Sequence, residues 1–258
     1  MNKRENRLKA DNTAIGGAAD RFPATQWSAI VALRSSQSQE RTRGIETIIA
    51  SYWKPVYKHI RLKWRKNNED AKDLTQGFFT KALEKDFFSR YDPKKARFRT
   101  FLRTCLDGFV ANENKAAGRL KRGGGAQRFS LDFAGAEGEL ARLEIPNNAN
   151  LDDYFDKEWM RVLFDMAIQA LQKECLARGK ELHFKIFKRY DLADVPENKP
   201  SYAQLAEEFG LADTEVTNYL AFARRELRRI LLEHLRELTV TDEEFRDEAR
   251  HLFGVNVL

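Results

Sequence analysis

The residues with the clearest chemical potential in this 258-residue chain are arginines and lysines gathered in one segment. Ten of them lie between Lys94 and Arg128 against two acidic residues, a local net charge of +8. The following thirty residues, Phe129–Glu158, hold eight acids against two bases, a net of −6. Guanidinium and ammonium groups bind phosphate oxygens, whereas ordinary surfaces mix the two signs. The basic segment therefore favours contact with a polyanion such as nucleic acid over an unpartnered basic surface.

The sequence does not indicate a catalytic, metal or cofactor site. Its two cysteines, Cys105 and Cys175, each stand in an apolar helical pattern and are expected to be reduced core residues. The four histidines are scattered without the spacing of metal ligands. No uncharged apolar run approaches the ~20 residues that a membrane span needs, and the first residues lack the apolar centre of a signal peptide. We therefore expect a soluble cytoplasmic protein that is not an enzyme.

Helical periodicity dominates the chain, and no strand alternation of useful length is found. The predicted helices are Trp27–Leu33, Glu40–Arg65, Asp70–Phe88, Arg97–Ala117, Leu151–Arg178, Lys180–Tyr190, Tyr202–Phe209, Asp213–Leu238 and Asp242–Phe253. The expected fold class is all-α.

Two helical domains are expected, joined by a linker. Residues 1–20 are polar and aperiodic and are predicted to form a mobile arm before a first domain at 21–117. Residues 118–150 contain three consecutive glycines and no sustained period, which favours a flexible linker over a phosphate-binding loop. The second domain is expected at 151–258.

A helix-turn-helix is predicted at 201–231 in the second domain. Ser201 and Gln204 have the spacing of a capping box, and Gly210 can take the left-handed conformation that ends a helix. Asp213 is expected to cap the next helix. Short polar residues near the start of that second helix suit base edges, and arginines further along suit phosphate.

The second helix of this motif separates an apolar face from a polar one. Its predicted buried stripe consists of Val216, Leu220, Ala223, Leu227 and Ile230. The opposite side is expected to face DNA. Two alternatives stay open: Phe222 packs on a neighbouring helix, and Arg228 and Arg229 are solvated or pair with Glu226 or Glu233.

Two segments of the first domain combine charge with an apolar face. The helix that begins near Asp70 keeps Asp70, Asp73 and Gln76 outside, where a basic partner could dock, although the helix dipole alone also favours these acids. The stripe Phe98, Phe101, Leu102, Cys105 and Phe109 favours core packing over base stacking. A basic helix behind the aromatic, proline-containing turn at 91–93 is the composition expected of single-strand capture.

These features together resemble a bacterial RNA polymerase sigma factor of the extracytoplasmic-function (ECF) class. The resemblance covers about Phe22 to Leu238 and is greatest to a longer subgroup that begins with an F-x-x-T-x-W-S pattern, here Phe22–Ser28. The motifs that carry it are Tyr52-Trp53-x-Pro55-x-Tyr57, Asp70-Ala71-x-Asp73-Leu74-Thr75-Gln76, Arg97-Phe98-Arg99-Thr100-Phe101-Leu102 and the helix-turn-helix. Their order and spacing, rather than any single one, define the similarity.

The resemblance implies three sets of contacts. The residues implied to bind the polymerase core at its clamp helices are Asp70, Asp73, Leu74, Gln76, Phe78 and Phe79. Those implied to melt and hold the minus-10 promoter element are Tyr91, Lys94, Lys95, Arg97, Arg99, Arg103, Thr104 and Gly108. Those implied to read the minus-35 element are Thr214, Glu215, Thr217, Asn218, Ala221, Phe222, Arg225, Arg228 and Arg229.

At four positions this sequence departs from the family pattern, which limits the residue roles that the resemblance implies. Gly108 stands where many members have Asn, Gly77 where many have Glu, and Thr217 and Phe222 where Lys and Arg are usual. Promoter preference therefore cannot be copied. The resemblance also implies a second contact with the polymerase flap, a monomer in the polymerase complex, and control by an anti-sigma protein or an inhibitor released by proteolysis.

Other interpretations remain at this stage. A free-standing helix-turn-helix repressor or activator would bind paired half-sites as a dimer. A DNA-processing enzyme would need a nucleophile or metal-binding carboxylates, and the acids at 137–144 and 152–156 lack histidine partners. The acidic C-terminal stretch at 242–248 is expected to be a solvated cap, with a docking surface as the alternative.

Overall fold

The structure is a computed structural model, and it describes residues 28–116, 129–142, 150–193 and 199–253. Every α-helix or 3-10 helix assigned in those ranges is listed here, and no strand occurs among them, so the all-α prediction is confirmed. The helices are α1 Ala29–Ala32, α2 Ser38–Lys63, α3 Asn68–Glu84, α4 Phe98–Ala116, α5 Phe133–Ala141, α6 Leu151–Ala177, α7 Glu181–Asp191, α8 Tyr202–Phe209, α9 Asp213–Glu237 and α10 Asp242–Phe253, with a 3-10 turn at Phe87–Arg90.

The chain divides into two compact units. The first, which we call the N-terminal unit, combines Thr25–Phe164 with Leu235–Glu248. The second, the C-terminal unit, contains Asp165–His234 and residues from Ala249 onward. This division differs from the predicted boundary at residue 150, because the first half of α6 and most of α10 belong with the N-terminal helices. The predicted arm at 1–20 lies outside the described residues.

The core of the N-terminal unit is built around α2. Val56, Tyr57 and Ile60 are fully buried along one side of this helix, which continues through Pro55. Gly44 lies where α1 approaches: a methyl group there would sit 2.7 Å from the Ala29 carbonyl oxygen. The absence of a side chain at this position lets the two backbones meet.

Aromatic contacts and one carboxylate attach α4 to α2. The ring of Phe98 packs edge-on against Tyr52 at 5.5 Å between centroids. Asp107 accepts hydrogen bonds from Trp64 Nε1 at 2.9 Å and Lys63 Nζ at 2.8 Å and lies 3.0 Å from His59 Nε2. Burial alone would raise the pKa of Asp107, but these hydrogen bonds outweigh it and lower that pKa. This acid of the basic segment therefore holds the helix in place.

Helix α5 lies inside the segment predicted to be a linker, and the prediction of an aperiodic coil is wrong for Phe133–Ala141. Asp132 begins the helix by accepting from the Gly135 amide at 3.0 Å. Phe133 packs against Tyr57 at 5.2 Å, and Glu137 accepts from Arg61 Nε at 3.0 Å. The triple glycine and residues 143–149 lie outside the described residues.

In the C-terminal unit, α9 presents the predicted apolar stripe to the core. Val216, Leu220 and Ala223 are fully buried, and Leu227 and Ile230 are 2% exposed, so the predicted face is confirmed. In the described parts of the chain, no helix is long and apolar enough to cross a membrane.

Two glycine substitutions are expected to change stability in opposite directions. Gly44→Ala should lower the free energy of unfolding by about 1–3 kcal/mol, because its new methyl meets backbone. Gly108→Ala should raise it by about 0.5–1 kcal/mol, because that site lies inside α4 with nothing within 4 Å of the new carbon. Urea titrations of both variants test this, and a shift of the same sign in both would contradict the packing described.

Candidate nucleic-acid interface

Helices α8 and α9 form a helix-turn-helix segment whose local geometry follows the sequence. Ser201 Oγ accepts from the Gln204 amide at 3.2 Å while Gln204 Oε1 accepts from the Ser201 amide at 2.7 Å, so the predicted capping box is confirmed. Gly210 has φ +66°, and the Leu211 amide donates to the Ala206 carbonyl at 2.8 Å. The turn is thus closed by its own backbone.

The start of α9 differs from prediction in one respect. Asp213 is the first residue of the helix and not its cap. Instead, Glu215 Oε2 accepts from the Ala212 amide at 2.9 Å. Thr217 donates its hydroxyl to the Asp213 carbonyl at 3.0 Å. Glu215 and Thr217, two of the expected minus-35 residues, therefore also stabilise the first turns of their own helix.

Four of the expected minus-35 residues are exposed in the first four turns of α9: Thr214, Glu215, Asn218 and Arg225. Ala221 and Arg228 are half-buried. Threonine and asparagine are short donors and acceptors of the kind that meet base edges. The polar face of α9 therefore has groups suited to base edges near its N-terminal end, at Thr214 and Asn218. Further along, Arg225 provides a guanidinium suited to phosphate.

Phe222 is covered by residues of the same unit. The Lys180 ammonium lies 3.8 Å from the centre of its ring, and the His183 ring lies 5.1 Å away, edge-on. Burial and the neighbouring Lys180 lower the pKa of His183. The contact with His183 of α7 therefore supports the alternative in which Phe222 packs on a neighbouring helix. Lys180 was not among the residues expected to contact DNA, and it joins this face through its contact with Phe222.

Arg229 is held by acidic residues and does not project freely. Its Nη1 lies 2.7 Å from Glu233 Oε1, its Nη2 2.5 Å from Glu174 Oε2, and its Nε 3.2 Å from Glu226 Oε2. Burial disfavours the charged form of Arg229, but the hydrogen bonds to Glu233 and Glu174 outweigh it and raise its pKa. The pairing alternative is therefore correct for Arg229, and its expected role as a phosphate contact is replaced by a structural one.

The eight expected minus-10 residues fall into two groups. Four are exposed at the turn before α4 or on α4 itself: Lys94, Lys95, Thr104 and Gly108. The other four contact acidic residues of the N-terminal unit: Tyr91, Arg97, Arg99 and Arg103. The acidic partners come from α10 and from the start of α6.

Tyr91 is buried, and its hydroxyl donates to Glu244 of α10. Glu244 also accepts from the Val240 amide at 2.7 Å. Burial raises the pKa of Glu244 despite these hydrogen bonds, and burial together with the bond to Glu244 raises the pKa of Tyr91. The expected solvated cap is therefore wrong for Glu244, whereas Glu243 beside it is exposed.

Arg99 is 2% exposed, so its expected role as an open DNA contact is contradicted in this conformation. Its Nη1 donates to Glu248 of α10, and its Nε lies 3.0 Å from Asp156 Oδ2 of α6. The guanidinium also lies 4.8 Å from the ring of Trp159. Burial disfavours the charged form, but Glu248 and Asp156 outweigh it and raise the pKa of Arg99.

Arg103 and Arg97 also contact acidic residues of α6 and α10. Arg103 Nη2 lies 3.4 Å from Asp152 Oδ2, and its Nη1 donates to the Asp152 carbonyl at 3.1 Å. Arg97 Nε lies 3.6 Å from Glu248 Oε1, and Arg97 is the more exposed partner. The predicted second domain contains Asp152 and Asp156, and the predicted C-terminal cap contains Glu248, so their convergence on one face was missed.

On α3, the expected polymerase contacts also divide by exposure. Asp70 and Asp73 are exposed and Leu74 is half-buried. Phe78 and Phe79 are at most 1% exposed and belong to the core, because their rings pack against each other at 5.3 Å. They stabilise the helix and are not open to a partner, which corrects the sequence assignment.

Gln76, the remaining member of that set, exchanges two hydrogen bonds with the backbone of Phe129, at 2.7 and 2.9 Å. It therefore anchors the chain segment that leads into α5. In the described parts of the chain, no group of three or more His, Cys, Asp or Glu side chains has the arrangement of a metal site.

Comparison with protein-family models, with curated proteins and with solved structures returns no match. Function is therefore inferred from the residues themselves.

Proposed function

We propose that the protein is an ECF-type sigma factor that binds the RNA polymerase core, recognises minus-35 and minus-10 promoter elements and starts transcription of a specific set of genes. The observation that supports this best is the closed α8–Gly210–α9 turn, followed by a helix whose apolar side is buried and whose opposite side opens with exposed Thr214 and Asn218. A helix built in this way is suited to the major groove.

A second feature supports contact with polymerase. Asp70 and Asp73 extend from the first two turns of α3, above a core formed by Phe78 and Phe79. Exposed acids on a rigid helix provide a surface of one sign for a basic partner, and complementary charge accelerates and orients docking. In the proposed mechanism this face holds the polymerase clamp, while α9 reads the upstream element.

The proposed minus-10 face supplies the third contact. Lys94, Lys95 and Thr104 are exposed beside the aromatic cluster of Tyr91 and Phe98. Exposed cationic groups attract the phosphate backbone of a separated strand, whereas the rings of Tyr91 and Phe98 are buried and pack against each other. Polymerase would hold the two DNA-contacting units on one promoter, so that the free protein binds duplex weakly.

Binding to purified bacterial polymerase core tests the proposal. The protein should form a one-to-one complex, and Asp73→Lys should weaken it at least about tenfold, equivalent to ~1.4 kcal/mol. Glu46→Lys, an exposed change of the same charge on α2, serves as the matched control and should retain affinity. Absence of any complex with core would contradict the proposal. A stable homodimer that protects a palindrome without polymerase would favour the free-standing regulator instead.

A further inference from the structure

Four carboxylates of the N-terminal unit lie on the face that the proposed function assigns to minus-10 DNA. They are Asp152 and Asp156 of α6 and Glu244 and Glu248 of α10, and we call them the acidic mask. We propose that the acidic mask occupies the minus-10 face in the free protein and must be displaced before single-stranded DNA binds there. The identity of the displaced ligand rests on the proposed function.

The mask uses the contacts that a phosphate backbone would use. Glu248 and Asp156 both reach the guanidinium of Arg99, which binds carboxylates and phosphates by the same forked geometry. Glu244 accepts the hydroxyl hydrogen bond of Tyr91, another of the expected minus-10 residues. The carboxylates therefore occupy positions suited to the anionic groups of DNA.

Coverage of the face is selective. Tyr91 and Arg99 are buried beneath the mask, and Arg103 is mostly covered. Lys94 and Lys95 remain exposed at the adjoining turn. An incoming strand can therefore first meet the open lysines and then compete with the mask for the covered residues.

The acidic mask is held by ion pairs, and some of its polar atoms lack hydrogen-bond partners. These features favour replacement of the carboxylates by another anion. Arg99 Nη2 and Asp156 Oδ1 are buried without a hydrogen-bond partner among the described residues. Buried charges that lack full pairing are costly, so these ion pairs add little to the stability of the closed arrangement. Because apparent affinity falls with the fraction of open protein, removing one mask carboxylate should raise affinity for DNA.

The test measures binding of the full-length protein to a fluorescein-labelled single strand of mixed sequence, about 20 nucleotides long. Fluorescence anisotropy at low ionic strength compares Glu248→Gln and Asp156→Asn with the wild type. The matched controls are Glu243→Gln and Asp153→Asn, which remove the same charge from exposed positions on the same two helices. A gain confined to the first pair cannot come from net charge alone.

We expect Glu248→Gln and Asp156→Asn each to tighten binding about fivefold or more, the lower end of usual intramolecular coupling. The two control variants should change the affinity for the single strand by less than about twofold. Adding Arg99→Gln to Glu248→Gln should abolish the gain, because the released guanidinium is the new contact. Circular dichroism confirms folding, and Asp156→Asn is the milder variant since Asp156 is partly exposed.

Equal affinity of the wild type and both folded mask variants would overturn the proposal, as would a gain that persists without Arg99. Polymerase core binding of the same variants separates this result from the proposed function. A complex with core but no gain in DNA binding would refute the mask and leave the sigma factor proposal standing. A gain without any complex would retain a mask against polyanions and refute the sigma factor proposal.

Discussion

Replacing Lys58 by Met is expected to lower the free energy of unfolding of the N-terminal unit by about 3–5 kcal/mol. The Lys58 ammonium is fully buried, 2.6 Å from Glu158 of α6 and 2.7 Å from Glu139 of α5. Its removal leaves the carboxylate of Glu158 buried, with Arg161 at 2.7 Å as the partner that remains. Losing one member of a buried pair costs more than the pair contributes, because the remaining charge stays desolvated.

Urea denaturation at neutral pH measures this change. Lys72→Met is the matched control, since Lys72 forms an exposed pair with Glu69 and its loss should cost at most about 1 kcal/mol. In the double variant Lys58→Met/Glu158→Gln, part of the stability should return because the unpaired charge is gone. A cost for Lys58→Met no larger than that of the control would show that α5 and α6 do not dock on α2 as described.

Replacing Trp159 by Ala is expected to cost a further, independent ~3–5 kcal/mol. The indole is 2% exposed, stacks on Tyr52 at 6.0 Å between ring centroids, and lies beneath the Arg99 guanidinium. Truncation of the ring would leave a cavity and remove its stacking with Tyr52 of α2 and its contact with Arg99 of α4. The loss of the Arg99 contact should also loosen the acidic mask.

Leu176→Ala is the control for Trp159→Ala, because Leu176 lies on the same helix and is 64% exposed. We expect this control to change the free energy of unfolding by less than about 0.5 kcal/mol. Chemical denaturation of the two variants gives the comparison directly. If α6 belonged wholly to a separate second domain, as the sequence suggested, Trp159→Ala would leave the unfolding of the N-terminal helices unchanged.

Local signals were sufficient to predict α8 and α10 to the residue. Both Tyr202–Phe209 and Asp242–Phe253 match their predicted bounds. A capping box and a terminal glycine define α8 through hydrogen bonds between near neighbours, so a single sequence contains the whole signal. The buried stripe of α9 was predictable for the same reason, since its period of side chains is local.

Helix α5 was missed because little of its stability is local. The sequence between Phe133 and Ala141 contains two glycines, which are poor helix formers. Its supporting contacts come from α2: Lys54 donates to Glu139 at 2.8 Å, a pair that is 85 residues apart in the chain. No pattern within the segment itself reveals such a partner.

The burial of Arg99 was missed for a related reason. Its partner Glu248 is 149 residues away, and a basic residue on the polar side of a helix is indistinguishable in sequence from an exposed one. One available signal was the spacing of Glu244, Phe245, Glu248 and Ala249, which places acids and apolar groups on one side of α10. That pattern favours a docked helix over a solvated one. It would have favoured the docking surface over the solvated cap for residues 242–248.

Transcription by purified polymerase core is the most direct test of the proposed function. A run-off assay on a library of promoter templates compares core alone with core plus this protein. The proposal predicts discrete transcripts that require the protein and that come from templates sharing a minus-35 and a minus-10 element. Transcription that is identical with and without the protein, across a library that a known sigma factor can use, would contradict it.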